Sequence, residues 1–345
     1  MRSPLHETNL SLGARLVDFG GWEMPVQYEG VLAEHRAVRE SCGWFDVSHL
    51  GRFSWRGSGA TDALRALLCN DAALFGPGRT HYSMLLNEQG GAIDDLVVWR
   101  WDEEEYWVMP NAGNHRRVME AFRNAAPGVE LNDLRPTTAM LAIQGPTGPQ
   151  VLKQVLGEAP ARFRTLHVPT TGVMGAAGTG YTGERGGEVV VESGAAAGFV
   201  AELSRSGVVP CGLGARDLLR LEAGLALWGH ELDDDTGPLE AGLDFAVAWD
   251  HDFEGKAALE RQQREGLAKA LVAFTLEGRR IPRQGYPLRS SEGSTGSVTS
   301  GNFSPSLECG IGMGYVAPPG GQGLEVELRG EWLPATTVNL PFLEH

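Results

Sequence analysis

The sequence predicts an α+β fold that ends in a small antiparallel barrel or sandwich. Three observations carry this expectation. Up to about residue 265, helical patterns and hairpin patterns are interleaved without the regular strand–helix alternation of a doubly wound sheet. From about Ala268 onward, short strands alternate with Gly/Pro/Ser turns, a spacing typical of small β-domains. The 345 residues include 47 glycines, roughly twice the ~7% of average usage, which favours many turns and close backbone approaches over long helices.

The elements follow in order. Val31 to Cys42 reads as a short helix, and Thr61 to Cys69 as another, with Asp62 near its positive end. Tyr82–Leu86 and Ile93–Trp101 form an expected hairpin around Asn87-Glu88-Gln89-Gly90-Gly91, followed by a strand at Tyr106–Met109. Asn114–Ala125 spaces Val118, Met119 and Phe122 for one buried helix face. Met140–Gln144 is a buried strand ending at Gly145-Pro146, and Thr147 opens a helix carrying Val151, Leu152, Val155 and Leu156. A strand at Glu188–Glu192 precedes a helix at Ala195–Ser204. Leu213–Leu227 is the clearest helix, striped by Leu218, Leu221 and Leu225, and Lys256–Arg264 is a charged surface helix. A linker is expected at Gln262–Leu267. Terminal strands are expected at Leu271–Leu276, Gly296–Thr299, Gly312–Val316, Leu324–Leu328 and Thr336–Leu340.

Composition removes several function classes. A net charge of −15 with no basic stripe argues against a nucleic-acid partner. Cys42, Cys69, Cys211 and Cys309 are far apart, with no Cys/His ligand spacing, so no metal site is expected and four reduced thiols are. Met1–Glu7 carries no apolar signal core and no run of ~18 apolar residues occurs, which reads as a cytoplasmic chain without a membrane partner.

Asp94 and Asp95 enter a strand directly after Gly90-Gly91. Alternate side chains face opposite ways, so these two are no shared-proton dyad. Asp95 falls on the face of Ile93, Val97 and Trp99, where an acid needs a reason; the plain alternative is an Asp that only follows a turn. Gly178-Thr179-Gly180-Tyr181-Thr182-Gly183 matches GxGxxG but no helical pattern follows, so a dinucleotide loop is rejected. Its glycines instead allow a turn to pack closely, beside a flat ring near Tyr181. Arg216 lies in the first turn of a helix, where the dipole disfavours a cation, with Arg220 four residues on and Asp217 able to offset Arg220. Arg216 therefore needs an anion or carbonyl elsewhere, either a structural ion pair or a ligand. Glu188, opening Glu-Val-Val-Val-Glu, is either a solvated strand end or a carboxylate accepting paired hydrogen bonds from an aminopyrimidine-like edge. His49 reads as structural, Ser48 and His49 face apart, His230-Glu231 lacks a second histidine at metal spacing, and Asp233-Asp234-Asp235 reads as a solvated turn.

Together these residues resemble the T-protein (aminomethyltransferase) family of the glycine cleavage system. The similarity runs collinearly over nearly the whole chain: Asp18-Phe19-Gly20-Gly21-Trp22-Glu23-Met24-Pro25; Phe45-Asp46-Val47-Ser48-His49; Asn87-Glu88 with Gly90-Gly91 and Asp94-Asp95-Leu96; Asn111-Ala112-Gly113-Asn114; Gln144-Gly145-Pro146-Thr147; Tyr181-Thr182-Gly183-Glu184; Gly214-Ala215-Arg216-Asp217 with Leu219 to Gly224; Gly229-His230-Glu231-Leu232; and Thr299-Ser300-Gly301 with Ser304-Pro305-Ser306-Leu307. The resemblance implies a three-lobed ring holding folate and ending in an antiparallel β-barrel. It implies domains at 1–265, of two lobes with 52–138 an inserted ferredoxin-like lobe, and at 268–345. It implies transfer of the one-carbon unit from an aminomethylated lipoyl arm on H-protein, among the other glycine cleavage components, to tetrahydrofolate, giving ammonia and 5,10-methylenetetrahydrofolate. Asp95 matches the family's functional aspartate, Glu188 the glutamate on the pterin edge and Arg216 an arginine of the folate site. Tyr82 and Tyr181 match groups against the folate, and Asn111 and the backbone around Met109 the strand end lining it. The sequence departs from the family at Arg185-Gly186-Gly187, which thins the wall before Glu188, and at Leu50, where Met is usual. A related expectation is a folate-dependent demethylase of a small sulfonium or methylamine donor. A Lys-Gly-Cys-Tyr motif, the mark of the related iron–sulfur-maintenance proteins, is absent from this sequence.

Overall fold

The computed structural model describes residues 1–168 and 170–344. The chain forms two compact units, one of 1–65, 71–83 and 96–219, the other of 66–70, 84–95 and 220–345. The fold is α+β, as expected.

The first unit is organised by a six-stranded sheet in the order Thr165–Leu166, Val173–Ala177, Gly186–Glu192, Thr138–Gln144, Gly43–Asp46, Val209–Cys211, antiparallel except for the last pair. Every residue of Thr138–Gln144 is buried, because both faces of this strand are covered. Ala139, Leu141 and Ile143 join one apolar cluster with the Gly148–Leu156 and Ala196–Arg205 helices. Met140 and Ala142 join a second, with Trp99, Trp101, Trp107, Met109, Val190, Ala215 and Leu219. The same two-residue period sends Val189 and Val191 to the first cluster and Val190 to the second, so Glu188 shares the face of Val190. A five-stranded sheet has the order Arg79–Leu86, Ala92–Asp102, Glu105–Met109, Phe53–Arg56, Glu130–Asp133. In it Trp99 pairs with Trp107 across the strands, rings stacked with centroids 6.1 Å apart.

The second unit carries a seven-stranded antiparallel sheet with Glu331–Pro334 at one edge and Thr336–Val338 at the other. Only Ala335 separates these two strands in sequence. A single residue spans under 4 Å, so the sheet must curl until its edges nearly meet. That curl is the physical content of the barrel expected from the turn spacing. Phe274, Leu276, Leu288, Val298, Val316, Leu324 and Val326 fill it. The strands Pro287–Arg289 and Glu331–Pro334 were not expected. Both are short, and neither shows enough alternation to register as a strand.

Two expected elements differ in extent and one hairpin was not expected. The Leu213–Leu227 helix stops at Glu222. Gly224 adopts φ +67°, its N–H donates to Leu221 O at 2.9 Å and Leu225 N–H donates to Arg220 O at 3.0 Å, a Schellman closure that removes Leu225 from the helical stripe. The expected linker at Gln262–Leu267 is largely helix, since Lys256–Glu265 is continuous and ends at Gly266, φ +89°. The N-terminal hairpin Arg15–Phe19/Trp22–Gln27, closed by Gly20 and Gly21 at positive φ, was missed; its polar and exposed positions hide the alternation.

Candidate active site

The segment 178–187 is a clamped loop entering the Gly186–Glu192 strand. Gln144 sits at its centre: Nε2 donates to Thr179 O at 3.2 Å, and Oε1 accepts from Thr182 Oγ1 at 2.8 Å. A Cβ on Gly180 would overlap the Gln144 amide, and one on Gly178 would overlap Ala161 O, so these positions require glycine for close approach. Arg39 locks the outer side, donating through Nη1 to Thr182 O and Glu184 Oε1, each at 2.9 Å, and through Nη2 to Leu219 O at 3.3 Å. The loop leads into a strand, in agreement with rejecting a dinucleotide site.

Glu188 is buried, 7% exposed, inside the strand and flanked by Ala142 and Ala177 on the neighbouring strands. The solvated-end alternative is therefore corrected: the strand begins two residues earlier, at Gly186. Glu188 Oε2 accepts a hydrogen bond from Thr179 Oγ1 at 2.6 Å. A carboxylate with one oxygen so held keeps acceptor capacity for a further donor pair.

Arg216 reaches the same place from the Leu213–Glu222 helix, whose Ala215 and Leu219 pack into the second apolar cluster. Its guanidinium lies over the Tyr181 ring, 4.9 Å from the centroid. Burial pushes its pKa down, while the Glu188 carboxylate and Tyr181 oppose that shift. Its Nη1 is buried without a hydrogen-bond partner among the described residues. A buried guanidinium N–H left unmade is costly, so the structural ion-pair alternative leaves Arg216 incompletely satisfied.

His49 lies behind this group, 3% exposed, with its ring edge-on to Phe19 at 5.4 Å between centroids. Burial, with Arg216, Arg52 and Arg135 nearby, pushes its pKa down to about 3, so the imidazole is neutral and structural, as read from sequence. Arg52, which the sequence did not single out, fixes this turn. It is fully buried and donates to Ser48 O at 3.1 Å, Leu50 O at 2.9 Å and Thr138 Oγ1 at 2.6 Å. Its signal was absent because its partners are backbone carbonyls of its own turn together with groups of the distant residues Arg135 and Thr138. Thr179 and Gln144 were likewise not assigned roles.

Tyr181, Glu188 and Arg216 are thus brought together directly, and Met109 belongs to the apolar cluster beneath them. Tyr82, Asp95 and Asn111 are placed by their own segments. Tyr82 is partly buried in Arg79–Leu86, and Asn111 closes the turn after Glu105–Met109, its carbonyl accepting from Asn114 N at 3.1 Å. Asp95 is partly buried while Asp94 is fully buried, so the two do face opposite ways. Asp94 takes the deeper face with Ala92, Leu96 and Val98, and Asp95 the more open one with Ile93 and Val97. Asp95 thus shares its face with Ile93, Val97 and the fully buried Trp99, the apolar face read from the sequence. Among the described residues no disulfide joins Cys42, Cys69, Cys211 or Cys309. No group of three metal-ligating side chains occurs among the described residues, and none of the described helices is long and apolar enough to cross a membrane.

Comparison with known proteins matches this architecture. Residues 5–251 fit the model of the GCVT N-terminal domain, and 269–344 that of the glycine cleavage T-protein C-terminal barrel domain. The aminomethyltransferase of Rubrobacter xylanophilus is 46% identical over 349 residues, covering 99% of this chain and 94% of that protein. That of Symbiobacterium thermophilum is 42% identical, covering 99% and 96%. The crystal structure of the glycine cleavage system aminomethyltransferase T from Bartonella henselae superposes with a TM-score of 0.93 at 35% identity, over 100% of this chain and 98% of that one. The clamped loop, the buried carboxylate and the guanidinium over a tyrosine therefore sit in a chain that belongs to the aminomethyltransferase (glycine cleavage T-protein) family.

Proposed function

We propose that this chain binds tetrahydrofolate at Glu188, Tyr181 and Arg216, and that Asp95 manages the receiving nitrogen during the one-carbon transfer of glycine cleavage. The observation that carries the reading is the unmet Nη1 of Arg216 beside a buried, half-satisfied Glu188. A reduced pterin offers Glu188 an aminopyrimidine edge with two parallel N–H donors, the pairing a planar carboxylate prefers. The p-aminobenzoyl-glutamate arm offers Arg216 carbonyl and carboxylate acceptors, and Tyr82, Met109 and Asn111 line the remaining path.

The donor is an aminomethyl group on the sulfur of a lipoyl arm, carried by H-protein. As the C–S bond breaks, its electrons go to sulfur and the carbon gains iminium character. Tetrahydrofolate nitrogen attacks that carbon, ammonia leaves, and closure between N5 and N10 gives the methylene product. A carboxylate at Asp95 orients N10, takes up its proton and stabilises the adjacent cation, work typically worth ~10²–10⁴-fold. Its position on the more open face of the strand, two residues before Val97, suits a group that must meet substrate rather than core.

Docking of an acidic carrier needs a basic surface on a chain of net charge −15. Arg279, Arg280 and Arg283 supply one. All three are exposed, and among the described residues none is paired with a carboxylate. Their loop is pinned, because Gly301 and Gly310 approach the backbone of Pro282 and Arg280 too closely for any Cβ. We read the domains as 1–265 and 268–345 and the setting as the cytoplasm. The deciding experiment is turnover with aminomethyl-lipoyl H-protein against free small donors. Activity only with free sulfonium or methylamine donors would overturn the proposal in favour of a demethylase.

A further inference from the structure

A cavity of about 340 Å³ opens within the second unit, lined by His230, Asp233, Thr236, Lys269, Thr299 and Tyr315 together with the 295–297 and 316–317 segments. Its charged lining groups are Lys269 and Asp233, and the buried Glu240 carboxylate acts on Lys269 electrostatically. The Lys269 ammonium donates to the Thr236 hydroxyl at 2.6 Å and lies 4.8 Å from the centroid of the Tyr315 ring, but among the described residues it has no carboxylate within ion-pair distance. An ammonium carries three donors, and only one is used. Asp233 lines the same cavity, and its side chain accepts from the backbone of Asp235, at 2.9 Å.

The walls are preset. Tyr315 Oη donates to Glu231 O at 2.7 Å, and Glu231 is itself fully buried against Arg220 and Thr299. His230 Nδ1 lies 2.9 Å from Thr299 O; a carbonyl can only accept, so this nitrogen carries a proton. The loop carrying Asp233 and Thr236 is tied down by Ala92 N–H, which donates to Asp233 O at 2.8 Å and Thr236 O at 3.2 Å.

A simple anion would meet Lys269 but face the Asp233 carboxylate. A simple cation would meet Asp233 but face the ammonium. A small zwitterion satisfies both, with hydroxyls for its remaining polar atoms and an aromatic wall for its carbon. We propose that this cavity is a binding site for a free α-amino acid, its carboxylate on Lys269 and Thr236 and its ammonium on Asp233. The volume lies at the lower end of the usual range for small-molecule sites, which suits an amino acid with a short side chain.

The test is calorimetric titration of the full-length protein with L-serine as probe, beside acetate and methylammonium, which each carry one of its two charges. Saturable L-serine binding is expected, with each half-ligand at least about tenfold weaker, the factor equivalent to ~1.4 kcal/mol. Lys269→Met and Asp233→Asn should each lose about the same factor, while Lys269→Arg keeps most of the affinity. Circular dichroism checks that the variants fold. Acetate binding as tightly as L-serine, with Asp233→Asn without effect, would overturn the zwitterion in favour of a plain anion. Absence of saturable L-serine binding to the wild-type protein would overturn the site itself. Neither result bears on tetrahydrofolate binding, which can be titrated separately.

Discussion

Arg216 lies 4.9 Å over the ring of Tyr181 and under the influence of the Glu188 carboxylate, yet one of its buried terminal nitrogens has no hydrogen-bond partner among the described residues. A cation over an aromatic face is stabilised by the ring quadrupole, which holds the planar donor fork in place without consuming its N–H groups. Arg216→Ala should therefore weaken tetrahydrofolate binding by about 10–100-fold, the range of one or two hydrogen bonds to a charged group. Arg216→Lys should rescue little, because a point charge cannot replace a planar fork. Glu188→Ala should weaken binding likewise. Unchanged calorimetric affinity in these variants would remove both residues from the site.

Asp95→Asn should retain the fold and folate affinity but lose roughly 10²–10⁴ in kcat with lipoyl H-protein as donor, the usual share of a proton-managing group. The substitution keeps size and hydrogen-bonding ability and removes only charge and basicity. A variant within a few-fold of wild type in kcat would show that Asp95 does not perform this role.

Stability rests on a different pair. Arg220 and Glu231 are both buried, 3.1 Å apart, and Arg220 also donates to Ser300 Oγ at 2.7 Å. Removing one partner strands a buried charge, so Arg220→Met should cost ~3–5 kcal/mol in urea unfolding. A loss below about 1 kcal/mol, the level of a surface pair, would mean that water relieves the site.

The pH dependence follows from His49 and His81, whose pKa values burial pushes down to about 3 and about 4. Both are lowered below the unfolded value near ~6.5, so the unfolded chain binds more protons in that interval. Their contribution is fully present above pH ~6.5 and is lost as pH falls toward the folded values, at ~1.4 kcal/mol per pH unit for each group. His49→Gln should flatten the fall of unfolding free energy between pH ~6.5 and ~4.5 relative to wild type. Parallel curves for the two proteins would mean that His49 is not held neutral.

Charge reversal at Arg279, Arg280 and Arg283 should raise KM for H-protein, with kcat and tetrahydrofolate affinity unchanged. The effect should shrink as salt is raised toward a Debye length of ~8 Å at 0.15 M. A salt-independent change in kcat would place the fault in the transfer step and not in docking.

Period and turn chemistry, which are local, were legible. The buried strand expected at Met140–Gln144, the Tyr82–Leu86 hairpin and the C-terminal β texture all follow from which residue types recur at which spacing. One boundary went wrong where a glycine overrode the period. Gly224 closes the Leu213 helix at Glu222 by backbone hydrogen bonds, and Leu225 still continues the stripe in sequence. The alternation of Asp94 and Asp95 was readable, but which face is the deeper one was not, because that depends on the elements packing against each side.

The candidate site divides the same way. The sequence alone marked Arg216 as a cation at the wrong end of a helix and Glu188 as an acid at the head of an apolar strand. It determined that Arg216 needed a partner, since the dipole penalty is a property of the residue and its element, and left Glu188 open between a solvated end and a paired carboxylate. Only the tertiary structure decided what those partners are. Glu188 comes from a central strand, Arg216 from a helix and Tyr181 from a glycine loop anchored on Gln144. Their meeting depends on the shared apolar cluster that seats both the strand and the helix. Burial of that surface is a non-local free energy that no window of the chain encodes.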